Sequence, residues 1–218
     1  MSGEWITGRI TTTAGDIPQV ATKRSFTDTI GSWKCRWSIG RMDYRVIPGL
    51  YAIGTPDETA PVLVTANYKM TFDRLREQLG GLNLWIVVLD TDGVNVWCAA
   101  GKGTFGTEEI IRRIFAVQLV RVVTHRTIIL PQLGAVGIAA HEVKKQTGFH
   151  VVYGPVRAED RVFRRSGNRI IIGDRDSCME CGACAKNCPF NAIEVDEGVG
   201  CAAAIIRGFF TGEIPTCG

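Results

Sequence analysis

Cys178-x-x-Cys181-x-x-Cys184-x-x-x-Cys188-Pro189 is the first arrangement in this 218-residue chain whose spacing can do chemistry. Three thiols two residues apart, with a fourth after three more and a proline next, is the spacing that holds a [4Fe–4S] cubane. Gly182, Ala183 and Ala185 are small, so backbone N–H groups can approach the cluster sulfurs. Structural zinc is the other reading of clustered thiols, but it usually takes two separated Cys pairs. Where two such runs occur, the fourth cysteine of each serves the other cluster, and here there is one run. The fourth ligand beside Cys178, Cys181 and Cys184 therefore stays open among Cys188, Cys201, Cys217 and a thiolate from another chain, with Cys188 favoured by proximity.

Cys98 is the second thiol of interest, in Asn95-Val96-Trp97-Cys98-Ala99-Ala100-Gly101-Lys102, read as a loop between a buried strand and a helix. A thiol just ahead of a helix and near Lys102 sits where a negative sulfur is favoured. Single buried cysteines are as commonly inert core residues, so spacing alone leaves both readings open. Cys35, in SWKCRW, carries no assigned role. Two patterns are decoys. Gly101-Lys-Gly-Thr-Phe-Gly106 fits G-x-G-x-x-G, but it starts well after the strand that ends at Asp90 and has no acidic residue about 20 positions on. It is no P-loop either, because Gly103 stands where Ser or Thr is needed. The three histidines form no ligand set, and His141 reads as a polar-face residue.

The elements that must position these groups alternate. PVLVTA (61–66) and LWIVVLD (84–90) are continuous apolar runs, as strands buried on both faces require. Between them TFDRLREQLGG predicts a helix with Thr71 as N-cap, Phe72, Leu75 and Leu79 on one face, and Gly80–Gly81 as the stop. Thr107 is the expected cap of TEEIIRRIFAVQLV, with Ile110, Ile111, Ile114 and Phe115 as its apolar stripe. RTIIL (126–130), an Ala-rich helix near 136–146 ended by Gly148, and HVVYG (150–154) continue the series. Such alternation predicts a Rossmann-like α/β fold: a parallel sheet with right-handed crossovers and helices on both faces. Ligands of such sheets sit beyond the strands' carboxyl ends, here the loops 65–70, 91–105, 131–135 and 154–157. Residues 1–58 read as an irregular covering segment of short strands and loops. A hairpin of 162–165 and 169–172 precedes the cysteine run, and a small ferredoxin-like α+β domain is expected over 161–218, after a body of 1–160.

Composition excludes several classes. With 45% hydrophobic and 22% charged residues the chain is globular. A net charge of +3, from 25 basic and 22 acidic residues, is too balanced to argue for nucleic acid or an anionic membrane. No apolar run approaches the roughly 18 residues of a membrane span, and MSGEWITGRI lacks a signal segment, so the expectation is a cytoplasmic chain. Six of the eight cysteines fall after residue 177, which in a reducing compartment favours metal ligation over disulfides.

NVWCAAGK followed by GTFGTEEIIRRI resembles the signature of the corrinoid-binding domain of the mercury-methylating corrinoid proteins. That domain is itself similar to the large-subunit corrinoid domain of the corrinoid iron–sulfur protein of the acetyl-CoA pathway. PVLVTANYKMTFDRLR, LPQLGAVGIAAHEVKKQTGF and VVYGPVRAED support the likeness, and residues 174–218 resemble the second half of the partner ferredoxin. The resemblance implies a base-off cobalamin-type corrinoid over the sheet edge, with Cys98 as lower axial ligand to cobalt. Asn95, Val96, Trp97, Ala99, Ala100, Gly101 and Lys102 would shape that face, with Thr65, Asn67 and Gly134 from neighbouring loops. It further implies methyl transfer to Hg(II), giving methylmercury: an electron-rich thiolate under cobalt helps the methyl leave with its electrons, and the [4Fe–4S] tail re-reduces the corrinoid. Cys201 and Cys217 are candidates for holding Hg(II), a soft ion that prefers thiolates. Implied partners are Hg(II), a methyl-donor protein or methylated-pterin-linked methyltransferase, and a low-potential electron donor.

The chain departs from that family pattern. The family continues into membrane-spanning helices and its ferredoxin carries two cysteine runs, so a fusion or truncation joined near Asp160 is expected, with a membrane-embedded or second ferredoxin portion elsewhere. The alternative function is a corrinoid iron–sulfur methyl carrier of one-carbon metabolism. A third reading is an electron-transfer module that binds no corrinoid.

Overall fold

A computed structural model describes residues 5–41, 43–154, 163–166, 169–172 and 186–189. The chain divides into two units, Met1–Gly154 and Pro155–Gly218.

The first unit is built on one seven-stranded sheet. Its strands are β1 (Ile6–Thr12), β2 (Gly15–Val20), β3 (Gly49–Ile53), β4 (Val62–Ala66), β5 (Leu84–Leu89), β6 (Thr127–Pro131) and β7 (His150–Gly154). They lie in the order β1-β2-β3-β5-β4-β6-β7. The four strands β5, β4, β6 and β7 are mutually parallel, so their carboxyl ends share one edge. The strand–helix alternation predicted this part, since parallel neighbours need a crossover between them.

The amino-terminal part departs from expectation. The expected strands are present among the described residues before 58, but they extend the sheet instead of covering it: β3 pairs antiparallel with β5, β2 parallel with β3, and β1 closes a hairpin with β2. Gly and Thr dilute the apolar signal there. On the edge strand β1 burial simply alternates between half-buried and exposed, as a strand with one solvated face does.

Every residue of β5 is buried, and alternate residues serve opposite faces. Trp85, Val87 and Leu89 join Val96, Ala99, Ile110, Ile114 and Val143 in one core. Leu84, Ile86 and Val88 join Phe72, Tyr51 and Ile53 in the other, where Leu75 and Leu79 pack. Helix α2 (Lys69–Gln78) thus covers one face, while α3 (Val96–Gly101), α4 (Thr107–Ala116) and α6 (Ala140–Thr147) cover the other. Helix α1 (Phe26–Arg36) precedes β3, and the short α5 (Leu119–Val122) follows α4.

Helix boundaries correct several local expectations. Thr71 is not a cap: α2 starts two residues earlier behind Tyr68, which makes no side-chain capping bond. Gly106, not Thr107, caps α4, and the Thr107 hydroxyl instead accepts from Ala139 N at 2.9 Å. Phe115 is exposed, leaving Ile110 and Ile114 to anchor α4. A 3₁₀ turn at Gln132–Gly134 delays α6 to Ala140, and Gly148, at φ 78°, ends it. In the second unit β8 (Phe163–Ser166) and β9 (Arg169–Ile172) form the antiparallel hairpin that the sequence predicts.

Candidate functional site

The carboxyl edge of the parallel strands is organised by Asn67, which follows β4 and is buried. Its Oδ1 accepts from Thr91 N at 3.1 Å, Thr91 Oγ1 at 2.8 Å and Gly93 N at 2.9 Å, and its Nδ2 donates to Asp90 Oδ1 at 3.0 Å. One amide therefore holds the turn after β5, where Asp92 and Gly93 have φ of 54° and 73°. Glu109 of α4 clamps the same turn, accepting from Asp90 N at 2.8 Å and from Arg113 Nη2 at 2.7 Å.

That turn delivers Asn95 as the N-cap of α3, its Oδ1 accepting from Cys98 N at 2.9 Å. The segment read as a loop is therefore a short helix, and Cys98 lies within its first turn rather than ahead of a helix. Val96, Ala99 and Ala100 are buried against the sheet, while Trp97, Cys98, Gly101 and Lys102 are exposed. This is the 3.6-residue division of an amphipathic helix. The alanines, expected to shape the ligand face, instead let α3 sit low on the sheet; the cysteine faces outward and is no packed core thiol.

The glycines behind α3 explain how close it lies. A Cβ on Gly137 would stand 2.2 Å from Phe105 O and 3.1 Å from Ala100 Cα. One on Gly134 would meet the Phe105 ring at 2.5 Å, so Gly134 makes room for a core side chain. The G-x-G-x-x-G decoy is thus a turn between two helices, with Phe105 in the core and Gly103 at φ 80°.

Among the predicted residues, Asn95, Trp97, Cys98, Gly101 and Lys102 gather at one accessible place. Thr65 and Asn67 are buried beneath it. Cys188, after Lys186, is half-buried; Cys178, Cys181, Cys184, Cys201 and Cys217 lie outside the described residues. The spacing reading missed Gln132, which follows β6 at this edge, and gave His141 at the start of α6 no ligand role. Among the described residues, the buried Gln132 Oε1 and His141 Nδ1 have no hydrogen-bond partner; a glutamine just past a strand's carboxyl end was the available signal. Trp97 and Leu133 add exposed apolar surface here.

These features suit a large planar macrocycle fringed with amides. An outward sulfur can ligate a soft or borderline metal, apolar side chains can meet the ring, the Gln132 oxygen can accept from an amide N–H, and the His141 ring nitrogen can bond an amide group. The residues present fit a corrinoid.

An α/β unit with a thiol-bearing helix over the carboxyl edge of its parallel strands is the class defined by fold and site. Residues 35–163 match the model of the CO dehydrogenase/acetyl-CoA synthase delta subunit, and the chain belongs to that family. Residues 171–194 match a 4Fe-4S binding domain. The chain is similar to the acetyl-CoA decarbonylase/synthase complex subunit gamma of Methanopyrus kandleri, 31% identical over 138 residues, covering 58% of this chain and 29% of that one. The same subunit of Methanocaldococcus jannaschii is 33% identical over 56% of this chain and 25% of its own. The corrinoid/iron-sulfur protein large subunit of Moorella thermoacetica is 32% identical over 52% of this chain and 26% of its own. The chain thus spans well under a third of these relatives.

Proposed function

We propose that the chain is the corrinoid-bearing part of a methyl carrier in acetyl-CoA-type one-carbon metabolism, with an iron–sulfur unit in the same polypeptide. The observation that supports this most is the succession of the two matched families, 35–163 and 171–194, together with relatives that are named as acetyl-CoA decarbonylase/synthase and corrinoid/iron-sulfur subunits. Cys98, with the Gln132 and His141 side chains, would hold the corrinoid at the sheet edge, where it would supply a nucleophilic metal for methyl transfer. The cysteine run, with Cys178, Cys181, Cys184 and Cys188 as proposed ligands, would hold the cluster that supplies low-potential electrons.

This chain's own residues would do the binding and orienting. Cys98 offers the sulfur; Asn95 fixes the start of α3 and so the sulfur's position; Trp97 and Lys102 flank it. Gln132 and His141 would receive corrinoid amides. Asn67 acts from below, by shaping the turn that carries α3, and Thr65 is buried at the end of β4. Protein partners are the donor and acceptor of the methyl group, as the relatives' place in a named complex suggests.

Methyl transfer to Hg(II) is the second reading, and one observation favours it: Cys98 is outward on α3, and a methyl carrier does not need a thiolate under its metal. Cys201 and Cys217 remain candidates for delivering Hg(II) in that reading. The test is the visible spectrum of methylcobalamin added to the purified chain. Wild type should shift it and Cys98→Ala should not; no shift with wild type, or equal shifts, refutes thiolate ligation. Methylmercury formed by wild type and lost in Cys98→Ala would favour the second reading over the carrier.

A further inference from the structure

Helix α1 is amphipathic in the inverted sense. Its inward face carries Asp28, Ser32 and Cys35, all buried, with Asp28 bonded to Lys69 at 2.9 Å and to Arg76 at 2.6 Å. Its outward face carries Phe26, Trp33 and Trp37, 80%, 62% and 79% exposed. Their spacing of seven and four residues puts them on one line along the helix. Ile39, whose N–H bonds back to Lys34 O at 2.9 Å, extends the apolar surface past the helix end. A helix on a globular protein ordinarily hides such a line, and single exposed apolar residues do not make one.

The charge around this line is one-sided. Between residues 23 and 45 the exposed charged side chains are Lys23, Lys34, Arg36, Arg41 and Arg45, against Asp43 alone. The whole-chain balance of 25 basic and 22 acidic residues conceals this local excess. Pairing with a second copy would set cations against cations, whereas an anionic surface complements them. Tryptophan and phenylalanine interleaved with lysine and arginine is the composition of helices that lie in the bilayer interface. Among the described residues no helix is long and apolar enough to cross a membrane, so such contact would be peripheral.

We propose that the outward face of α1, with Ile39, docks on the surface of an anionic lipid bilayer. Rings enter the headgroup region while the cations meet lipid phosphates, each Lys or Arg adding attraction that salt screens. The proposal is independent of what the sheet edge binds.

Flotation of the full chain with phosphatidylcholine vesicles, with and without phosphatidylglycerol, tests it. Wild type should float with the anionic vesicles at least about tenfold more than with the neutral ones, and high salt should release it. Trp33→Ser with Trp37→Ser, and separately Lys34→Glu with Arg36→Glu, should each lower the floated fraction at least about tenfold with unchanged circular dichroism. If the tryptophan pair fails to fold, Trp37→Ser alone serves, since that side chain is at the helix end and exposed. Wild type that stays at the bottom of the gradient with anionic vesicles, as monomer or self-associated, overturns the proposal. So does a folded tryptophan variant that floats as wild type does.

Discussion

A single thiol matters here because of what its neighbours do with their backbone and amides. Cys98 is held by the Asn95 cap, and Asn95 is held by a turn that converges on Asn67 Oδ1. Removing that amide leaves the buried N–H groups of Thr91 and Gly93 without an acceptor, each costing about 1–3 kcal/mol. Asn67→Ala should therefore lower the unfolding free energy by about 3 kcal/mol and weaken any spectral effect of Cys98 on added corrinoid. Urea titration with the methylcobalamin spectrum checks both; a variant as stable as wild type would show that Asn67 does not organise the edge.

At the scale of elements, α1 and α2 are joined by a buried four-charge cluster rather than by apolar packing alone. Lys69 bonds Asp28 at 2.9 Å and also pairs with Asp73; Arg76 bonds Asp28 at 2.6 Å and Asp73 at 2.9 Å. Burial by itself raises the Asp28 pKa, but the Lys69 hydrogen bond, the Ser25 N–H and the charges of Lys69 and Arg76 outweigh it, holding the carboxyl well below the usual range. A carboxylate depressed in the folded state stabilises fully above its unfolded pKa, near about 4, and that contribution is lost as pH falls through the folded value. Asp28→Asn should cost about 3–5 kcal/mol at neutral pH by leaving two buried cations to share the one carboxylate of Asp73. The gap between variant and wild type should narrow as pH drops below about 4. Unfolding curves from pH 7 to about 2 measure this, and a gap that widens on acidification would contradict the assignment.

For the whole molecule, the relevant fact is two matched families on one chain, in a chain that spans only 29%, 25% and 26% of the relatives compared. A cluster tail and a sheet-edge site that bind their groups separately should be separable by mutation. Cys181→Ala should lower the iron content of protein reconstituted with iron and sulfide, while the wild-type change in the methylcobalamin spectrum persists. Unchanged iron would remove Cys181 from the ligands, and a lost spectral change would mean that the two groups are not bound independently.

Sequence alone determined the parallel strands β4 to β7, because continuous apolar runs separated by helix-period segments have few other ways to bury themselves. It also determined the interest of Cys98 and the cysteine run, since ligand spacing is local in the chain. The place of the amino-terminal strands was decided by tertiary structure: their pairing partners, such as β5 for β3, are distant in sequence, and their own apolar signal is weak. Tertiary structure likewise decided that Ala99 and Ala100 face the core while Cys98 faces out, that Asn67 is consumed by a turn, and that Gln132 and His141 keep atoms unpaired among the described residues. The aromatic face of α1 was written in SWKCRW all along; only its packing, with Asp28 turned inward, established which side is left to the outside.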